Sequence, residues 1–161
     1  MDAKILLKLL EDQADPAKVP QMEAYMKNKF RFLGVQKTIL RKIEREFFKP
    51  FMKDPIDWTF VEECWKQPYR EFQYIAMDYL DKKKKELRPE DFPKLKALAQ
   101  TKSWWDSIDQ LDLIIGEITF HYPETKNIMR QWSLDEDFWL RRIAIDHQLM
   151  RKELTDTDLL A

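Results

Sequence analysis

Apolar side chains return every three or four residues along most of the chain, and one segment shows the rule clearly. At about 100° per residue, Trp104, Ile108, Leu111, Ile115 and Ile118 fall in one narrow stripe, the core-facing side of an amphipathic helix. With this period and the positions of the prolines, the sequence predicts helices at roughly 3–13, 16–29, 38–52, 57–66, 69–87, 89–101, 104–120, 123–132 and 136–152. Proline is tolerated in a first helical turn and otherwise breaks or bounds a helix. Asp15-Pro16 and Arg88-Pro89 therefore read as helix entries, and Lys49-Pro50, Asp54-Pro55 and Gln67-Pro68 as boundaries.

Short consecutive helices of this kind pair antiparallel, and successive pairs stack into a curved two-layer solenoid. The expected class is all-α: a HEAT-like helical-repeat solenoid of antiparallel helix pairs with a concave face, as a single domain over residues 1–161. The repeat spacing is roughly 35 to 40 residues. Sequence self-similarity is weak, so periodicity alone leaves a compact helical bundle as a competitor.

Composition agrees with helix and narrows the function classes. With 44% apolar and 13% aromatic residues the chain is a folded protein, and two glycines in 161 residues leave little material for hairpin turns. It has no run of about 18 apolar residues, and its start lacks a secretory signal, so the expectation is a cytoplasmic protein with no membrane segment. The lone Cys64 reads as buried filler. His121 and His147 are too few and too far apart for a metal site, and no metal is assigned. A net charge of −1 excludes a globally basic protein but not a basic face.

Thr101-Lys-Ser-Trp-Trp-Asp-Ser-Ile-Asp109 is the first unusual segment. Ser103 reads as an N-cap and Asp106 as its capping-box acid, with Trp104 in the core. Trp105, Asp109, Asp112 and Gly116 gather on a second face, rotated by roughly 110° from the core stripe. An aromatic beside a carboxylate that has no capping role has the character of a site.

Basic residues form three further groups. Tyr25-Met-Lys-Asn-Lys-Phe-Arg-Phe-Leu-Gly-Val-Gln36 interleaves cations, Lys29 among them, with aromatics, a composition suited either to nucleic-acid backbone contacts or to a solvated helix end. Lys82 to Lys85 read as a solvated C-terminal turn. Arg141 and Arg142 lie inside an otherwise apolar helix, where Arg142 must either pair, with Asp146 at i+4, or reach a phosphate.

Ser-Trp-Trp-Asp-Ser-Ile-Asp, Trp-Leu-Arg-Arg-Ile-Ala-Ile-Asp-His-Gln-Leu, Met-Lys-Asn-Lys-Phe-Arg-Phe-Leu-Gly-Val and Pro68-Tyr-Arg-Glu-Phe-Gln-Tyr-Ile-Ala-Met-Asp-Tyr-Leu occur together in this chain. In these motifs it resembles the bacterial DNA alkylation repair family, the AlkD-like DNA glycosylases, over nearly its whole length. The resemblance implies a HEAT-like solenoid that hydrolyses the N-glycosidic bond of cationic N3- or N7-alkylated purines in duplex DNA, as a monomer and with no metal or organic cofactor. It implies that Asp109 and Trp105 are the catalytic pair, Arg142 the active-site arginine and Gln36 a residue near the DNA. Lys29 is a further candidate for backbone contact, and Arg141 serves either in a second phosphate contact or in a structural pair. Two departures go with it: Met150 stands where the family carries a basic residue, and the sequence reads as shortened at its C-terminal end, stopping at Leu159-Leu160-Ala161 just after the start of another expected helix. The alternative from another class is a noncatalytic HEAT-like scaffold that binds nucleic acid or protein, with Asp109 only a surface or paired acid.

Overall fold

A computed structural model describes residues 1–159; Leu160 and Ala161, where the apparent extra helix was expected to continue, lie outside the described residues. Among the described residues there are nine α-helices and no strand, in agreement with the expected all-α class. They are α1 (Ala3–Glu11), α2 (Val19–Tyr25), α3 (Lys37–Phe48), α4 (Trp58–Lys66), α5 (Arg70–Lys83), α6 (Phe92–Gln100), α7 (Trp105–His121), α8 (Lys126–Ser133) and α9 (Phe138–Asp146). Each expected helix is present, and the ends differ where backbone geometry intervenes. Lys27 and Asn28 adopt positive φ, so the segment expected at 16–29 closes after Tyr25. The long segment expected at 69–87 tightens into a 3₁₀ turn at Lys84–Glu86, and the last one stops at Asp146 rather than near 152.

The backbone groups into two compact units, Met1–Tyr79 and Leu80–Ala161. In the first, α1 packs on α3 and α4, and its Leu6 and Leu10 are fully buried. Phe47, Phe48, Phe60 and Tyr79 form a ring cluster with centroids 5.4 to 6.4 Å apart, the range in which tilted and edge-to-face rings attract. Cys64 is fully buried there, and burial pushes its thiol up, as suits filler rather than a nucleophile.

The segment before α3 is held by a side chain from far along the sequence. Glu71 of α5 accepts hydrogen bonds from the backbone N–H groups of Leu33, Gly34 and Val35 at 3.0, 2.9 and 3.2 Å. Gly34 has φ +93°, and a Cβ there would come within 2.2 Å of the Asp15 carbonyl oxygen, so glycine is required on both counts.

In the second unit, α7 packs against α6 and α9, and α8 against α9. Ile108, Leu111, Ile115 and Ile118 are buried, as their spacing predicts, and Ile114 joins them. Lys83 corrects the reading of Lys82 to Lys85 as a uniformly solvated turn. Its side chain is buried and donates to Glu86 at 2.6 Å, because the 3₁₀ turn folds Glu86 back over it.

Candidate functional site

The site is built where the start of α7 meets α9. Lys102 takes a left-handed conformation (φ +53°) and turns the chain between α6 and α7. Ser103 is not the cap of α7, contrary to expectation. After that turn its hydroxyl reaches back and donates to the Ala99 carbonyl at 2.5 Å, serving the end of α6 instead. Trp104, in extended backbone, is the N-cap residue, and Ser107, three residues on, supplies the hydroxyl that receives its N–H (3.4 Å) and returns a bond to its carbonyl (3.0 Å). Asp106 is therefore not the capping-box acid. It lies in the first turn, where a carboxylate favours the positive end of the helix dipole.

This arrangement separates the two tryptophans. The half-buried Trp104 ring meets Trp139 of α9 edge-to-face, with centroids 6.0 Å apart, which ties together the starts of the two helices. Trp105, the first residue of α7, is 37% exposed, unusual for an indole at the head of a packed helix.

One turn further along, Asp109 faces α9. Arg142 donates from Nε to Asp109 Oδ1 at 2.7 Å and lies 3.6 Å from Asp146 Oδ2. Of the two readings left open for Arg142, the structure shows pairing: Asp109 is the shorter partner, and Asp146, the expected one at i+4, lies further off. The hydrogen bond and charge of Asp109 raise the Arg142 pKa, so the guanidinium stays charged. The two side chains are about two-fifths accessible, leaving room for a ligand to meet either.

Asp112 stands behind this pair. It is only 2% exposed, and its Oδ1 has no hydrogen-bond partner among the described residues. Burial, reinforced by the charges of Asp109 and Asp146, pushes its pKa up to about 7. One oxygen each of Asp109, Asp112 and Asp146 lies within 4.8 Å of the others. The positive charge facing this acidic group is the Arg142 guanidinium.

The second face of α7 is thus open only at its first turns. Trp105 and Asp109 are accessible, whereas Asp112 and Gly116 lie under α9 and the residue that caps it. A Cβ on Gly116 would come within 2.1 Å of the His147 carbonyl oxygen, a contact that only glycine allows. Arg151 fastens the segment after α9, donating from Nη2 to the Gly116 carbonyl at 2.6 Å and to the Thr119 hydroxyl at 2.5 Å. Neither Asp112 as a buried acid nor Arg151 as a clamp was legible in the sequence. The spacing of Asp112 three residues after Asp109 was the one available signal.

The remaining candidates are distributed as follows. Arg141 donates from Nη1 to the carbonyls of Asp135 and Glu136 at 2.7 and 2.9 Å, bracing the loop into α9. Gln36 is the exposed N-cap residue of α3, and Lys29 lies in the exposed turn after α2; both belong to the first unit. Met150 is exposed after α9. No helix among the described residues is long and apolar enough to cross a membrane.

Comparison with known proteins adds the family. The chain matches the family described as DNA alkylation repair enzyme over residues 6–161. It is also similar, at 31% identity and a TM-score of 0.84, to a solved structure described as a predicted DNA alkylation repair enzyme from Enterococcus faecalis. That likeness covers 92% of this chain and 71% of the other. No curated protein matches it. With a family match across almost the entire sequence, and a relative that shares the fold, the chain belongs to the DNA alkylation repair enzyme family.

Proposed function

We propose that this protein is a DNA glycosylase that hydrolyses the N-glycosidic bond of cationic N3- or N7-alkylated purines in duplex DNA. The observation that carries the reading is the accessible pair of Asp109 and Arg142 at 2.7 Å, with exposed Trp105 one turn before Asp109. Membership of a DNA alkylation repair family supports it.

An alkylated purine carries a positive charge and leaves as a neutral base, so the reaction needs no general acid on the leaving group. When the C1′–N bond breaks, its electron pair passes to the purine and cancels that charge. The sugar becomes oxocarbenium-like, and Asp109 stabilises it and orients the water that adds to C1′. The water's proton passes to Asp109 and then to solvent, leaving free base and an abasic site. Trp105 lies along the sugar and contributes its electron-rich face. Arg142 binds an adjacent phosphate through its Nη donors while Nε keeps Asp109 aimed.

In this reading Gln36 and Lys29 lie along the DNA backbone, Arg141 braces the α9 entry and adds charge toward it, and residues 1–161 act as one HEAT-like DNA-binding domain. The protein works as a cytoplasmic monomer, without metal or organic cofactor.

The test is release of 7-methylguanine from alkylated duplex DNA by the native protein and by Asp109→Asn. Release that falls by roughly 10² to 10³-fold in the variant, with duplex binding retained, is expected from loss of transition-state charge stabilisation. No release above background from the native protein rejects the enzyme reading. Duplex or protein binding without release would then favour the scaffold alternative, in which the Arg142–Asp109 bond is only structural.

A further inference from the structure

The Asp109–Arg142 pair has a third member that the reaction above does not use. Asp112, three residues along α7, points a buried carboxyl oxygen without a partner into a site where two other carboxylates lie within 4.8 Å. Three carboxylates against one guanidinium leave an excess of two negative charges when all are ionised, and of one when a single carboxyl keeps its proton. A DNA phosphate arriving at Arg142 adds further negative charge. The acid that can give way is the one with least access to water, because solvent screens a buried charge least.

We propose that Asp112 is a positioning residue for the Asp109–Arg142 pair, whose carboxyl group holds a proton while Arg142 engages a DNA phosphate. The proposal rests on the reading of Arg142 as a DNA contact. Protonated, Asp112 leaves the guanidinium to Asp109 and the phosphate. Ionised, it draws on Arg142 itself and repels the incoming backbone. Asp109, one turn away and more accessible, is left to face the sugar. The raised pKa of Asp112, about 7, is what this division of charge needs at neutral pH.

The groups facing Asp112 from the surrounding elements are consistent with this assignment. From α9 come Arg142 and Asp146, and from its own helix Asp109. Among the other charged groups on elements packed against α7, Lys94 pairs with Asp91 and Lys96 with Asp135 on the α6 side, Lys84 with Asp81 and Lys83 with Glu86 at the 3₁₀ turn, and Arg141 donates to carbonyls, while Lys85 and Glu124 are exposed to solvent. His147, which caps α9, is buried with its Nδ1 on the Ala144 carbonyl, and burial lowers its pKa, which favours the neutral ring. Arg151 is engaged by the Gly116 carbonyl.

The experiment is binding of undamaged duplex DNA by the full chain, followed by fluorescence anisotropy at constant ionic strength from about pH 5.5 to about pH 8.5. A group that must be protonated in the complex and titrates near 7 in the free protein weakens binding roughly tenfold between pH 6 and pH 8. Asp112→Asn, locked in a neutral form, is expected to bind with a flat profile over the same range. An unchanged slope in Asp112→Asn, or a flat native profile, overturns the proposal. The native protein supplies a check independent of any variant: the Asp112 carboxyl carbon, followed by NMR, should titrate near 7 and move upward when duplex is bound. A midpoint in the ordinary carboxylate range, or one that falls on binding, overturns it as well. Loss of base release with the pH-linked binding intact rejects only the glycosylase reading, whereas no duplex binding at any pH rejects both.

Discussion

Arg142 Nε and Asp109 Oδ1 lie 2.7 Å apart, joining α9 to α7 through the two side chains that the proposed reaction assigns to phosphate and sugar. Both are partly accessible, at 36% and 43%, so solvent screens their attraction and the pair contributes little to stability. In the proposed reaction its value lies in aiming Asp109.

Arg142→Gln should therefore separate function from folding. We expect unfolding free energy to change by less than about 1 kcal/mol. Duplex binding should weaken by roughly ten- to a hundredfold, the loss expected for charge-assisted hydrogen bonds to a phosphate. The dependence of log K on log salt should become shallower by about 0.9. Urea unfolding beside salt-dependent anisotropy measures both; a large stability loss with an unchanged salt slope would make Arg142 a structural residue.

The buried carboxyl of Asp112 makes stability depend on pH with a definite sign. Its pKa is about 7 in the folded protein against an ordinary 3.8, so the folded state holds the proton more tightly. Its contribution is fully present below about pH 4 and declines as pH rises through about 7. The total is up to about 4 kcal/mol as an order of magnitude. Asp112→Asn should lack this decline, so its stability relative to the native protein should grow between about pH 4 and pH 7. Urea midpoints at several pH values check this, and parallel profiles would contradict it.

Gly116→Ala places a methyl group 2.1 Å from the His147 carbonyl oxygen, which belongs to backbone and cannot swing aside. Separating α7 from the end of α9 should cost about 1 to 3 kcal/mol, as overpacking does, and lower the melting temperature by several degrees. The same displacement disturbs the helix pair that holds Asp109 against Arg142, so activity should fall further than stability accounts for. Calorimetry and base release on the same preparation test the two effects.

Glu71→Ala removes the acceptor for three backbone N–H groups, at Leu33, Gly34 and Val35. Leaving such donors unsatisfied should cost roughly 3 kcal/mol or more in total. Amide hydrogen exchange should accelerate at residues 33–35 ahead of the helical interior, and unchanged protection there would show that another acceptor takes over.

The helices were legible because burying a core stripe imposes a period of about 3.6 residues, which the positions of Ile108, Leu111, Ile115 and Ile118 carry in one dimension. Their ends were less so. Positive φ at Lys27 and Asn28, and the turn at Lys102 that redirected Ser103 to Ala99, are backbone choices made with tertiary neighbours, and ordinary residues occupy those positions without announcing them. The resemblance singled out Trp105, Asp109 and Arg142, but 33 residues separate the last two, and no spacing rule says that such residues meet.

By itself, then, the sequence determined the all-helical class, the core face of α7 and the presence of an aromatic and an acid off that face, all consequences of local periodicity. Only the tertiary structure decided that Arg142 pairs first with Asp109 rather than Asp146, that Arg141 is spent on carbonyls, and that Asp112 is sealed beneath α9. Those outcomes depend on which helices touch and how closely. At Gly116 the approach of the His147 carbonyl is close enough to exclude even a methyl group, and at Asp112, on the same face of α7, burial raises the carboxyl pKa.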